Sequence, residues 1–287
     1  MNGARPLLAH SAWDWVPVAE GAAHFVLVVA FAIAFPHMAW WAVIVCGLLY
    51  SYSIAWSVNS ISHNFIHNPY FSDERLNRAF SLLLSLTLAF SQTMYHYVHM
   101  RHHSGNMDRP DANGDTVDPI SIYKHGRGGK AENVWVYSAM SYFRDDPLAI
   151  YRAIKSKRPA EARFALIEIG ALLAFVTALA IWDWRFVLVI APFYYLGHSL
   201  SALNGFYEHA SGNPDVPLAW GVSSYNRLYN LTWMNNGYHA EHHYRPKVHW
   251  TRMHALHLEI ADQQRAAGLK SLRWPHVLGF LDANGGP

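Results

Sequence analysis

Of 287 residues, 52% are hydrophobic and 15% aromatic, while only 15% are charged, well below the roughly 25% charge of ordinary soluble domains. A formal charge of +2 is too mild to mark a nucleic-acid partner, and the single cysteine, Cys46, excludes a disulfide framework and a thiolate metal site. The composition points to lipid, and we expect one membrane-embedded domain over residues 1–287.

In chain order, residues 1–20 are polar and contain proline, without the succession of regions that a cleavable signal peptide requires, so none is expected. Residues 21–35 are apolar apart from His24. Pro36 and His37 separate them from a second apolar run, residues 38–60, whose length as a helix is roughly 34 Å and enough for a bilayer. Residues 79–90 are apolar but too few for an ordinary span, which suits a re-entrant or interfacial helix. Residues 104–119 carry Asp108, Asp111, Asp115 and Asp118 with Gly and Pro, and read as a solvated acidic loop. Residues 164–182 and 186–203 form another apolar pair, joined by an aromatic and charged turn, Trp182-Asp-Trp-Arg185. None of these runs has the polar face of a soluble core helix.

The pattern predicts an all-α integral membrane fold: about four transmembrane helices in two hairpins, with a cytoplasmic helical cap, residues 61–163 and 204–287, carrying a dimetal site. Of the 22 Lys and Arg only Arg185 lies in a short connection. The basic residues therefore put both termini and the central segment in the cytoplasm, and the protein in the cytoplasmic (inner) membrane. Beyond Trp250 the tail reads as mixed helix and loop without a legible role.

Three histidine clusters then fall on one side of the membrane: His63-Asn-Phe-Ile-His67, His99-Met-Arg-His102-His103 and His239-Ala-Glu-His242-His243. On a helix, spacings of three or four place these imidazoles on one face, and imidazole is the commonest metal ligand. Eight such ligands exceed what one ion takes, so a two-metal centre is the economical reading, with Fe, Zn, Cu and Ni all compatible. The lack of His-Glu-x-x-His argues against a zincin-type protease. His209, in Asn204-Gly-Phe-Tyr-Glu-His209, is a further candidate ligand. His96 and His198 are read as supporting or packing residues. Glu208 and Glu241 could accept a proton from the outer nitrogen of a ligand imidazole, or could be solvated surface carboxylates. Asn235 is placed with Glu208, Glu241 and His96 behind the ligands.

With its boxes in order, the chain resembles the membrane fatty acid desaturase and hydroxylase superfamily, whose boxes read H-x(3,4)-H, H-x(2,3)-HH and H/Q-x(2,3)-HH. The likeness spans about residues 63–246. Asn235-Asn-Gly-Tyr-His-Ala-Glu-His-His-Tyr-Arg-Pro246 looks like the third-box neighbourhood of desaturases. Asn204 to His209 is similar instead to the Asn-Tyr-x-Glu-His element of alkane and xylene monooxygenases. The resemblance implies a non-haem diiron centre, two Fe²⁺ with O₂ as co-substrate, that abstracts hydrogen from an unactivated C–H bond of a fatty acyl or other lipid-like chain. Desaturation is the favoured outcome and hydroxylation the alternative, since the two share that first step. Without a His-Pro-Gly-Gly haem motif, the resemblance implies a separate ferredoxin, rubredoxin or b-type cytochrome as electron donor. Readings of another class are a metal- or haem-binding membrane protein for transport or electron transfer, and a zinc hydrolase. The first usually places its histidines inside the spans, where only His24 and His198 lie.

Overall fold

The computed structural model describes residues 6–104, 113, 116 and 118–282. Its helices are α1 (Trp15–Ala34), α2 (Trp40–Ser57), α3 (His63–His67), α4 (Glu74–Leu88), α5 (Gln92–Ser104), α6 (Val134–Met140), α7 (Pro147–Lys157), α8 (Pro159–His209), α9 (Arg227–Thr232), α10 (His239–Tyr244) and α11 (Met253–Ala266). Two two-residue strands, β1 (Ser223–Ser224) and β2 (Ser271–Leu272), pair in parallel. The chain divides into two compact units, Met1–Tyr97 with Asp146–His198, and Val98–Asp145 with Ser199–Pro287.

Three helical segments are long and apolar enough to cross a membrane: Ala12–His37, Trp40–His67 and Pro159–His209. The first starts earlier than its apolar run because Ser11 and Asp14 form a reciprocal capping box, each side chain taking the other end's backbone N–H. Residues 164–182 and 186–203 are the two arms of α8, a 51-residue stretch. It is broken at Asp183, where φ is −155° and ψ 101°. The Asp183 carboxylate accepts from the Arg185 backbone N–H at 2.9 Å and pairs with its guanidinium at 2.7 Å. The break thus satisfies the backbone group that it frees.

Contacts within the first unit show how these segments run. Ahead of the break, Phe175 packs on Phe25 and the Trp182 indole donates to the Ala32 carbonyl. Beyond it, Ser51 donates to the Phe193 carbonyl at 2.7 Å. Gly47 lies so close to the Phe193 ring that a Cβ there would stand 2.6 Å from it. The chain therefore follows α1 outward, turns beside the Phe35–His37 turn and returns along α2. Both hairpins are built, and their turns share one end. Leu27, Leu48, Leu173 and Leu188 face outward around them, as lipid contact requires.

The stretch at residues 79–90 is α4, fifteen residues capped at its start by Asp73 and ended by Ala89 at φ 54°. Its Phe80 ring fills the space above Gly21 of α1 and packs against Phe65 and Tyr70. Between α2 and α3 the backbone widens into a π-helix, Val58–Ser62, a feature that clusters at functional positions. Asn59 donates to the Ala55 carbonyl and Tyr70 to that of Ile61, which fixes the wider turn just before His63.

Two carboxylates inside the first unit are fully enclosed, Asp14 at the helix start already described and Glu168. Glu168, on α8, accepts from Ser81 at 2.6 Å, from Ser91 at 2.5 Å and from the Thr93 backbone N–H at 3.1 Å. It therefore caps the start of α5 from another helix. Gln92, also buried, accepts from Ser62 at 2.6 Å and takes the Ser85 hydroxyl on its own N–H, tying α5 to the residue that precedes His63.

The second unit packs around Ile122, Tyr137, Leu203, Phe206, Val222 and Leu272. A smaller core joins Tyr238 to Met253, Leu256 and Ile260 of α11. The β1–β2 pairing brings the tail back beside the segment that leads into α10.

Candidate metal centre

Seven histidines meet inside the second unit. The last turns of α5 carry His99, His102 and His103, α8 ends on His209, and α10 carries His239, His242 and His243. At spacings of three and four these side chains share a helix face. All are buried except the partly buried His103. The α10 backbone is held in place by its approach: Met234 and Asn235 adopt positive φ, and the Gly237 carbonyl accepts from Ser224 at 2.7 Å. A Cβ at Gly237 would fall 2.2 Å from the Ser224 carbonyl oxygen, so no other residue fits there.

His102, His209, His239 and His243 present nitrogens that all lie within 4.8 Å of one another. Nε2 of His102 is 3.2 Å from that of His243, and Nε2 of His239 is 3.0 Å from that of His209. Beside them, Nε2 of His103 is 3.0 Å from that of His99 and 3.1 Å from that of His242. The two groups adjoin through the His103 and His243 rings, stacked at 4.2 Å.

These spacings suit a shared cation. Two nitrogens about 2.1 Å from one ion lie about 3.0 Å apart at right angles and about 3.4 Å apart in a tetrahedron. The separations observed, 3.0–3.2 Å, fall within that range. Burial, followed by the neighbouring imidazoles, holds the His243 ring well below the usual histidine range, so it stays neutral with a lone pair free for a metal. Glu, His and Asp side chains around the cluster complete a donor set that is entirely nitrogen facing inward and oxygen behind.

Behind the cluster, Asp118 is fully buried and its carboxylate sits 2.7 Å from Nδ1 of His102. That corrects the reading of this position as part of a solvated loop. Asp108, Asp111 and Asp115 lie outside the described residues. Glu208 accepts from the Asn204 and Asn236 amides, each at 2.8 Å, and lies 3.7 Å from Nδ1 of His239. Glu241 is buried rather than solvated and takes Ser223, Tyr225 and Nδ1 of His257, the last at 2.6 Å. These three partners come from β1, the segment after it and the tail. Burial and the adjacent Glu241 carboxylate push the Tyr225 phenol up, so it remains a donor. Asn235 donates to the Trp250 carbonyl at 3.0 Å, and its neighbour Asn236 is the residue that reaches Glu208.

The tail, silent in the sequence, supplies His257, His254 and His276. His254 meets the Tyr238 hydroxyl at 2.8 Å. His276 donates from Nε2 to the Val222 carbonyl at 2.9 Å and lies 3.1 Å from the Tyr229 hydroxyl. Burial lowers its pKa to about 4. His254 and His257 stand three apart on α11, a spacing the sequence reading did not take up, and His276 has no such local signal.

The other candidates lie in the first unit. His63 and His67 are on α3 with ring centroids 5.4 Å apart. His96 has Arg158 and Glu161 as charged neighbours, and burial, then Arg158, lowers its pKa. His198 packs between the Phe90 and Tyr194 rings.

The chain is similar to "Sphingolipid delta(4)-desaturase DES1-like" of Arabidopsis thaliana, 25% identical over 232 residues, which cover 78% of this chain and 66% of that protein. It is equally similar to the protein of the same description in Oryza sativa subsp. japonica, 25% identical over 233 residues, again 78% and 66%. The chain thus spans slightly less than two thirds of the length of these relatives. A family model described as Fatty acid desaturase matches residues 38–272, most of the sequence and a range that contains the three histidine clusters. With that match, the chain belongs to the fatty acid desaturase family.

Proposed function

We propose that this protein is a membrane oxidoreductase that removes hydrogen from an unactivated C–H bond of a lipid-like chain, with desaturation as the outcome. The observation that carries the reading is the gathering of seven imidazoles, six buried and His103 partly so, into two adjoining groups with Nε2 separations of 3.0–3.2 Å. We take the ligand set to be the box histidines His63, His67, His99, His102, His103, His239, His242 and His243, with His209 as a ninth; the box resemblance is what assigns His63 and His67.

A pair of irons held there would supply activation of O₂ and the oxidising power to break the C–H bond. The protein's own part is to position and to exclude. Asp118 orients His102 through Nδ1, leaving Nε2 toward the centre. Glu208, steadied by Asn204 and Asn236, lies behind His239. Burial first, then charged neighbours, hold the His209 and His243 rings well below the usual histidine range, so these two resist protonation. Electrons would come from a separate ferredoxin, rubredoxin or b-type cytochrome. The relatives' description makes a sphingoid lipid the first substrate to offer, followed by simple fatty acyl chains.

Hydroxylation is the second reading, favoured by Asn204 and Glu208, which stand together beside His209 as in the monooxygenase-like element. Reconstituted protein with Fe²⁺, an electron donor, O₂ and these lipids should yield product lighter by about 2 mass units, or heavier by about 16 if hydroxylation is the outcome. Two non-haem irons per chain are expected. A haem absorption band, or hydrolysis that needs neither O₂ nor reductant, would overturn the assignment.

A further inference from the structure

Helix α6 and the 3-10 turn Ser141–Phe143 that continues it have an inner and an outer side. Inward, Tyr137 is buried, its ring 5.5 Å from that of Phe206 and its hydroxyl donating to the Ile120 carbonyl at 2.7 Å. Away from it, Trp135, Val136, Met140, Tyr142 and Phe143 stand exposed, Trp135 by 56% and Phe143 by 63%. Phe280, also exposed, lies against Trp135 with ring centroids 5.5 Å apart. A single exposed apolar residue needs no account, but a contiguous group on one short element does.

The loop that leads into α6 carries Lys124, Arg127 and Lys130, all exposed, with no acidic residue among residues 124–130. The nearest following acid, Glu132, is engaged by the Arg144 guanidinium at 2.5 and 2.6 Å. Lys124 has Asp145 as a charged neighbour, which leaves Arg127 and Lys130 with no carboxylate in their own stretch. Bulky aromatics beside exposed Lys and Arg form the composition that settles at the headgroup boundary of a bilayer. The same chain has three helical segments able to cross one. A second copy of the chain is the poorer occupant: a two-fold interface through this patch would set two trios of cations against each other.

We infer that α6 and its following turn lie in the bilayer's headgroup boundary, with Trp135 and Phe143 among the acyl ends and Lys124, Arg127 and Lys130 on anionic lipid phosphates. It is a second, peripheral membrane contact of the unit that carries the histidine cluster.

Cys46 is the chain's one cysteine, so Cys46→Ala gives a background for single labels. Bimane is attached at Met140→Cys, at Phe143→Cys and, on the exposed face of α11, at Gln263→Cys, and the protein is placed in nanodiscs of ordinary or brominated phosphatidylcholine and phosphatidylglycerol. Positions 140 and 143 should lose about half their fluorescence in brominated lipid, and position 263 almost none. Raising the phosphatidylglycerol fraction should deepen the quenching, and Lys124→Gln, Arg127→Gln and Lys130→Gln together should abolish that dependence. Equal quenching at 143 and 263, in protein that is monodisperse and binds iron, would overturn the inference. So would disulfide cross-linking between copies through position 143 in place of quenching.

Discussion

Glu168 offers the sharpest test of how the fold holds its helices. Its carboxylate accepts from two hydroxyls and the Thr93 N–H, and Ser91, one of those hydroxyl donors, itself accepts from the Met94 N–H at 3.2 Å. Glu168→Leu keeps most of the volume and removes every acceptor. The stranded N–H costs roughly 1–3 kcal/mol and each hydroxyl about 1 kcal/mol, since hydroxyls can rotate toward other carbonyls. The sum is about 3–5 kcal/mol, or a fall of roughly 6–20 °C in melting temperature for a chain of this size. Glu168→Gln should lose only about 1–2 kcal/mol: its carbonyl can face Ser91 and Thr93 while its amide donates to the Ser81 oxygen. Thermal unfolding in nanodiscs gives the order wild type, Gln, Leu. Hydrogen exchange locates the effect, and should quicken first at Thr93 and Met94. If Leu matches wild type in melting and in exchange at those amides, the cap contributes nothing and the reasoning fails.

Three further outcomes follow from the second unit. Asp118→Asn leaves shape intact but weakens the hold on Nδ1 of His102, so metal affinity should fall about 10–100-fold, measured by iron retained during chelator competition. Because His276 has its pKa lowered to about 4 when folded, its contribution is full above the unfolded value near 6.5 and is lost as pH falls from there toward 4. The loss reaches about 3 kcal/mol, and a melting series on metal-free protein should show a shallower acid slope for His276→Gln; an unchanged slope removes His276 as the cause. Gly237→Ala drives a Cβ into the Ser224 carbonyl and should displace α10, which reads out as loss of iron binding by the chain with its transmembrane helices still folded by circular dichroism.

Much of the centre was legible because its ligands obey local rules. Spacings of three and four on α5 and α10 put the imidazoles on common faces whatever the rest of the chain does. Hydropathy located the spans but not their ends. It stopped at Gly21 where the helix runs back to Trp15, since a capping box at Ser11 and Asp14, rather than apolar content, fixes that end. The Trp182-Asp-Trp-Arg185 turn was recognised from its composition. That it would be a break within one helix depended on Asp183 bonding two residues ahead, which hydropathy does not record.

What stayed hidden shares one cause. Asp118 is sixteen residues beyond His102, in a segment whose Asp, Gly and Pro content matches solvated loops, and only the folded chain brings it under an imidazole. Burying a carboxylate is costly unless its oxygens are occupied, and Asp118 meets that condition with His102 on one oxygen and the Ile120 N–H on the other. Glu241 meets it with Ser223, Tyr225 and His257, and Glu208 with Asn204 and Asn236. Each buried acid near the cluster thus has its own set of donors, drawn from α8, the β1 segment, the approach to α10 and the tail. A carboxylate with filled oxygens is fixed in place, and so is the imidazole next to it. The C-terminal residues beyond Trp250 are therefore part of what orients the site: removing His257 would leave Glu241 buried with one fewer donor, two residues from His239 and adjacent to His242.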